Sequence, residues 1–546
     1  MANTLSLGSG NWGAKDSLLL GYYENGGKFF PETFDVTRAT KGTRVNKAGL
    51  IETPFEILSG DIVTNGDFAI NNNWNGTNTI SNGQLTKGAG GGLVYQGSLD
   101  GTIKKYKVIV DLAEKNGVSL TLYLGGNQFI LNEGVNTFYV ESGSSNTFIG
   151  FNNGAGSVFN SISAIEINEK NLARIDYLND AKGALLTEPQ STNLISYSED
   201  FSNSYWDKVG ASVTSGFSAP SADSPLGASK LVEDTSTGNH RVEKGFSITN
   251  NEAHTFSVIA KAGEKSFIQL RSNQTAGNTY FNLSNGTIGT DSSTSSSIEL
   301  IGDGWYRCSV SGVSISTANT IFIYLADADN SNSYTGDGTS GVYIFGAQLE
   351  QQSYPTSYIP TDGSAVTRNK DEVTNGGDVN SFGSEEGVLY AEIATLSDSV
   401  NGKYISIGDG SLSNYVYLRI TGSLNQIKMG VIKGGSTQAS KEFVVSDLTQ
   451  FNKLAVRYSQ DLFKFYVNGA LIFTDTNGDI FPVGTLNTLT FNIGNSNNYF
   501  FGKTKNVQAF NTALSDSDLL SLTTTGSVPY WKQYSAMATS LNYTNK

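Results

Sequence analysis

The chain has 546 residues, too many for a single hydrophobic core, and its length favours roughly three or four domains. Only 16% of its residues are charged, against about 25% in ordinary globular proteins, and the formal net charge is −14. That balance argues against nucleic acid as a partner, which needs clustered Lys and Arg, and against a bare anionic membrane.

Hydrophobic residues make up 38%, a low figure that would suit a disordered acidic chain. The 11% aromatic content and the many short apolar runs point the other way. Ser, Thr, Asn and 61 Gly fill the remainder, as expected for all-β surfaces and tight turns. A single cysteine excludes an intramolecular disulfide framework. Cys308 lies in Trp305-Tyr306-Arg307-Cys308-Ser309-Val310, a strand pattern that predicts a buried, inert thiol. Met1-Ala2-Asn3-Thr4-Leu5 lacks the basic start and apolar stretch of an export leader, and no run of about 18 apolar residues occurs, so no membrane insertion is expected.

In chain order, residues 1–58 show Trp12, Tyr22-Tyr23 and Phe29-Phe30 without a long regular pattern. They also carry a basic cluster, Arg38, Lys41, Arg44 and Lys47, readable as a solvated loop or as a segment that docks on an acidic partner. Residues 59–168 predict a first β-sandwich. It opens on Asn65-Gly66-Asp67-Phe68 and Trp74, with strands at 107–112, 119–124, 137–140 and 161–167. In Ser119-Leu120-Thr121-Leu122-Tyr123-Leu124 the leucines share one face, the mark of a half-buried strand.

Residues 169–186 are read as the continuation of a base unit begun in 1–58. Residues 187–361 predict a second sandwich, entered through Asn193 to Phe201 and Trp206. Asn285-Gly286 there gives a type I′ hairpin signal. The sandwich closes on the alternating strand Val342 to Leu349, followed by Tyr354-Pro355-Thr356-Ser357-Tyr358-Ile359-Pro360, an extended, proline-stiffened connection. Residues 362–384 read as a linker with a charged run from Arg368 to Asn375.

Residues 385–525 predict a third sandwich with strands at 415–420, 426–431, 454–458, 463–467 and 489–493. Phe463, Phe465 and Val467 point one way, and Asn468-Gly469 then turns the chain. Ser515 and Asp518 stand at capping-box spacing, so a short helix should begin there. The tail, 526–546, is aromatic but unpatterned. The fold class is therefore all-β: antiparallel, jelly-roll-type sandwiches in tandem after an N-terminal element.

Several of these motifs carry a resemblance. The strand, F-x-V-N-G, strand order around Phe465 to Gly469, with the late Phe510 to Leu519, resembles the laminin-G-like, concanavalin A-type lectin fold. The openings at Asn65 and Asn193 resemble those of carbohydrate-binding modules. Thr43-Arg44-Val45-Asn46 to Gly49-Leu50-Ile51-Glu52, and Arg174 to Leu194, resemble paired elements of modular bacteriophage tail and virion-surface proteins. There the two elements follow closely, whereas here the first sandwich separates them, as if inserted into one base unit.

The resemblance implies a phage fibre or spike on the virion surface (head or tail), made in the host cytoplasm. Its N-terminal region would dock to capsid or tail proteins, and its sandwiches would bind glycans or receptors on the host surface. It also implies a homo-oligomer, most often a trimer, whose avidity offsets weak single contacts. A purely structural decoration protein and a secreted adhesin are the non-enzymatic alternatives, the second weakened by the missing leader.

Chemistry points away from an enzyme. His240 and His254 stand without GxSxG, HExxH or paired cysteines. Gly88 to Gly92 lacks the Lys-Ser/Thr of a phosphate loop. Glycoside hydrolysis is the enzymatic rival, because the concanavalin A-like fold also hosts glucanases. Carboxylates alternating on one strand would then share a face. Glu385 and Glu386 are instead adjacent, and Glu392 stands alone.

A structural Ca²⁺ is the one cofactor considered. Asp327, Asp329 and Asp337, with Asn330 and Asn332, offer hard oxygen ligands on a turn-rich loop, although Asp and Asn also form turns without any metal. For glycans, which need flat aromatic faces beside amides and carboxylates, the candidates are Trp74, Tyr95, Trp206, Tyr280, Tyr415, Asn497, Tyr499 and Phe500. Trp74 and Trp206, set a few residues after the opening motifs, read more readily as core plugs, whereas Tyr499 and Phe500 stand in an Asn-rich stretch that suits exposure.

Overall fold

The computed structural model describes residues 4–525 and 544–545, except residues 9, 11, 16, 26–27, 90–91, 98, 118, 144–146, 274–275, 398–402 and 495–497. Most of the tail at 526–546 and the candidate Asn497 thus lie outside the described residues. As the sequence predicts, the protein is nearly all-β, with antiparallel sheets stacked in pairs and the helix Asp516–Thr525. It divides into two compact units. One holds residues 1–54, 170–222 and 226–546, and the other holds residues 55–169 and 223–225.

The second unit is a sandwich. Gly134–Glu141, Lys105–Glu114, Val158–Asn168, Gln84–Lys87 and Asn78–Ser81 form one sheet in that order, with Glu56–Asp61 also on Val158–Asn168. Val94–Gln96, Ile149–Asn152, Thr121–Leu124 and Asn127–Ile130 form the other. Strand alternation explains its core: Val108, Val110 and Leu112 from one sheet meet Leu120, Leu122 and Leu124 from the other.

In the larger unit, the strands of residues 187–361 make a second sandwich. One sheet runs Asp207–Val209, Arg241–Ser247, Ala318–Ala326, Phe267–Ser272, Ala276–Asn282 and Thr287–Asp291. The other runs Ala211–Phe217, Ala228–Glu233, Gly341–Glu350, Ala253–Ala262, Trp305–Val313 and Ser295–Gly302. Cys308 is in this core, fully buried, and burial pushes its thiol well up, as expected of an inert side chain. The Asn285-Gly286 expectation needs correction. Asn282 pairs with Thr287 across a four-residue loop in which Gly286 alone has positive φ, so the turn is not type I′. Asn468-Gly469 does have positive φ at both residues and joins Val467 directly to Ala470.

The third sandwich differs most from expectation. Its large sheet runs Glu372–Thr374, Lys28–Thr37, Leu18–Asn25, Thr4–Gly8, Gly502–Phe510, Glu386–Ala394, Asn452–Ser459, Leu462–Val467 and Ala470–Asp475. Residues 1–58 therefore do not stand apart as an irregular element. Thr4 pairs with Phe510, and Leu5, Leu7, Trp12, Leu19 and Phe34 sit in one core with Val416, Leu418 and Met429. Leu18–Asn25 is buried on both faces, so it lacks the alternation that betrays a half-buried strand. The supposed linker is also structural: Val366–Arg368 pairs with Ser191–Asn193, and Glu372–Thr374 joins the large sheet.

Only part of the basic cluster is solvated: Lys47 is exposed and Lys41 half-buried, but the two arginines turn inward. Arg38 and Arg44 are buried at 1% and 9% exposure. Arg38, Arg174 and Arg368 converge on Asp371 and Glu188, all inside the protein. Arg38 Nη1 lies 2.6 Å from Asp371 Oδ1, and Arg174 Nη1 lies 2.6 Å from Glu188 Oε2. Arg174 also pairs with Asp371, and Arg368 Nη2 lies 3.4 Å from Glu188. Gly42 packs on all three arginines, where a β-carbon would approach each to 3.0–3.2 Å. The tyrosine-proline segment feeds the same centre: the Ser357 amide donates to Glu188 Oε1 at 2.7 Å, and Thr356 and Tyr358 are buried, so it is not a solvent-spanning connection. The separated motifs are also neighbours, since Arg174 Nη1 donates to the Thr43 carbonyl (3.0 Å) and the Val45 amide to Asp176 (2.8 Å).

The helix begins where the capping spacing placed it. The Asp518 amide donates to Ser515 Oγ at 3.2 Å, and Leu519 and Leu522 pack on Tyr390 and Tyr466. Ser515→Ala should cost about 1 kcal/mol of helix stability. Hydrogen exchange at the helix amides would read this as lost protection, while the sheet amides keep theirs.

Candidate ligand-binding faces

The smaller sheet of the third sandwich runs Ser436–Val444, Gln426–Lys433, Tyr415–Ile420, Lys403–Gly408 and Thr488–Thr490. Ile405, Ile407, Val416, Leu418, Ile420, Ile427, Met429 and Val431 face the core. Alternation therefore puts Tyr404, Ser406, Tyr415, Tyr417, Arg419, Lys428 and Gly430 on the opposite face.

Register makes these residues a continuous plane. Tyr404 is opposite Arg419, Ser406 opposite Tyr417, and Gly408 opposite Tyr415. On the other side, Tyr417 is opposite Gly430 and Arg419 opposite Lys428. Ring centroids of Tyr404 and Tyr415 lie 5.7 and 5.5 Å from that of Tyr417. Gly430 leaves room for this layer, because a β-carbon there would stand 2.7 Å from the Tyr417 hydroxyl. Burial, with Tyr404 and Tyr417 beside it, pushes the Tyr415 phenol up to about 12, so it stays a neutral donor and acceptor. Arg419 lies over the Tyr404 ring at 5.3 Å. Tyr404 and Tyr415 are tilted 53° and 47° from the buried Tyr417 ring between them. The half-buried outer rings, with hydroxyls, a guanidinium and an ammonium at their margin, can therefore pack on an apolar ligand face and hydrogen-bond its polar edge.

The other two sandwiches carry aromatic outer faces as well. In the smaller unit, Tyr95 and Tyr123 flank Gly150 in register, and both rings lie within 5.5 Å of Phe148. In the second sandwich, Phe322 stacks on Tyr324 at 5.5 Å, with Arg241 over both rings and Arg271 over Phe322. There Arg241 is paired with Glu243.

Of the predicted glycan residues, Tyr415 lies in the tyrosine plane, and Tyr95 lies on the outer face of its own sandwich. Trp74 and Trp206 are core plugs, at 9% and 2% exposure. Their indoles donate to the carbonyls of Asn65 (3.3 Å) and Tyr197 (2.9 Å), so neither ring is offered to a ligand. Tyr280 is buried on the second sandwich's face, 4% exposed and opposite Gln269. Tyr499 and Phe500 are 6% and 1% exposed. Tyr499 donates to Glu372 (2.9 Å) under Lys370, and Phe500 packs against Phe491 in the core.

Tyr404, Tyr417 and Arg419 were not singled out from sequence. Their signal was present, since in Tyr415-Val416-Tyr417-Leu418-Arg419-Ile420 two tyrosines and an arginine alternate with core residues.

The calcium candidates do not converge. Asp329 accepts from the Thr290 amide (2.7 Å), while Asp337 accepts from the Thr339 and Ser340 amides (2.7 Å each). Asn332 donates to Gln269. Among the described residues no group of three or more His, Cys, Asp or Glu is placed to hold a metal ion. His240 and His254 are buried structural side chains, at 0% and 1% exposure. A cavity of about 100 Å³ beside the buried ion network is lined by Arg44, Asp176, Glu188 and Lys503 among others. These four groups are already paired within the protein.

Residues 382–519 match the family described as the concanavalin A-like lectin/glucanases superfamily. No curated protein matches the chain. Among solved structures it is similar over limited stretches to several binding domains. One is the CBM40 of the Ruminococcus gnavus IT-sialidase bound to α2,3-sialyllactose, at 18% identity and TM-score 0.23, covering 28% of this chain and 93% of that one. Another is domain 4 of the extracellular arabinanase AbnA of Geobacillus stearothermophilus with arabinotriose, at 14% and 0.24, covering 28% and 73%. The third is the CBM22 tandem of Paenibacillus barcinonensis Xyn10C, at 11% and 0.20, covering 49% and 86%.

Proposed function

We propose that the protein binds glycans without transforming them, through the tyrosine plane of its concanavalin A-like sandwich. The observation that carries this reading is Tyr404, Tyr415 and Tyr417 brought together in register from two adjacent strands beside Gly408 and Gly430, with polar groups at the edge. The lectin-type match over residues 382–519 supports it. Display of such faces by an oligomeric fibre or spike on a phage virion, docked to other virion proteins, extends the proposal on the strength of the sequence motifs alone. Locating the chain in purified particles tests that extension.

The binding reading is tested by applying the full chain to a glycan array and repeating with Tyr404→Ala and Tyr415→Ala, the two half-buried rings. Each loss of a stacking ring should weaken retained glycans by about ten-fold. Silence across the array would favour a purely structural decoration role. New reducing ends from incubated polysaccharide would turn the reading to hydrolysis.

A further inference from the structure

Arg419 is the anomaly on the tyrosine plane. Its Nε is buried without a hydrogen-bond partner, and the side chain makes no ion pair among the described residues. Its direct cross-strand neighbour is Lys428, another cation, and like charges placed opposite each other destabilise a sheet. Lys428 has its own partner in Glu442, at 3.2 Å. Arg419 and Lys428 thus share this edge with one carboxylate, Glu442, in a chain whose formal net charge is −14.

The guanidinium carbon lies 5.3 Å from the Tyr404 ring centroid, and the buried Nε has no acceptor. A planar donor fork fixed beside an aromatic layer matches a carboxylate or sulfate on a sugar ring that stacks on the layer. At physiological ionic strength charges are screened over about 8 Å, so these neighbours outweigh the distant acidic surface. The paired Arg241 of the second sandwich shows the contrasting arrangement, in which Glu243 supplies the acceptor internally.

We infer that the tyrosine plane selects anionic saccharides, with Arg419 receiving the acidic group and Lys428 assisting. This rests on the glycan-binding reading and adds the ligand's charge class. The test presents the full chain with matched oligosaccharides, neutral or bearing a uronic acid, a sialic acid or a sulfate. The acidic member of a pair should bind about ten-fold tighter, and that advantage should shrink as NaCl rises from about 0.05 to about 0.5 M.

Arg419→Gln should remove most of the advantage, with an unchanged melting temperature as the folding control. Lys428→Gln, a separate variant, should reduce it in part. Equal binding of neutral and acidic members, or an acidic preference indifferent to salt and to Arg419→Gln, overturns the inference while leaving glycan binding in place. No binding to any member overturns both.

Discussion

Replacing Arg174 by methionine is expected to lower the stability of the larger unit by about 3 kcal/mol, because it removes the one cation closely paired with both buried carboxylates and leaves Glu188 only the longer Arg368 ion pair at 3.4 Å. Burial alone would push the Asp371 and Glu188 carboxyls up. Arg174, Arg38 and Arg368 together more than offset it at Asp371, as Arg368 and Arg174 do at Glu188, so both stay below their ordinary range. A urea midpoint, or the rate of limited proteolysis, reads the loss. The comparison is Lys464→Met, which removes an ion pair with an Asp516 that is 54% exposed and should cost less than about 1 kcal/mol. Equal costs for the two variants would mean that the buried network is dispensable.

The sign of the pH dependence follows from the same shifts. Carboxyls depressed in the folded state contribute stability above their ordinary values of 4.5 and 3.8, and that contribution is lost as pH falls through the lower folded values. The gap between the native protein and Arg174→Met should therefore be full at neutral pH and shrink in acid.

The parts that sequence made legible share one trait: a local rule decides them. Phe463, Phe465 and Val467 alternate into the core, Asn468-Gly469 turns the chain with two positive φ values, and Ser515 caps a helix. Each depends on neighbours a few residues away. What escaped depends on partners far along the chain. Leu18–Asn25 became a central strand because Thr4–Gly8 and Lys28–Thr37 cover its edges. Arg38 is buried because Asp371 waits to neutralise it, and no local pattern announces a pairing across that separation. The tyrosine plane falls between these cases. Its strands were readable, but Tyr404 and Tyr417 became neighbours only once register was fixed. The aromatic residues chosen for their place in opening motifs, Trp74 and Trp206, went to the cores. A large aromatic just inside a sandwich gains more from burial than from exposure.

If the tyrosine plane is the binding surface, its floor should matter as much as its rings. Gly430→Val is expected to reduce glycan affinity by at least about ten-fold, although residue 430 itself offers no group to a ligand. The β-carbon would stand 2.7 Å from the Tyr417 hydroxyl, 2.9 Å from its ring and 2.7 Å from the Ala439 carbonyl. The last is backbone, so the adjoining strand must shift, and the Tyr417 ring must also move from the layer it shares with Tyr404 and Tyr415. Overpacking of this kind costs about 1–3 kcal/mol of stability, which a melting curve separates from lost binding. Tyr417→Phe is the paired control: it keeps the ring in place and removes a hydroxyl whose contact with Ser440 is long, at 3.4 Å. It should retain most of the affinity. A folded Gly430→Val that binds like the native chain would move the ligand off this plane, towards the aromatic faces around Tyr95 or Phe322.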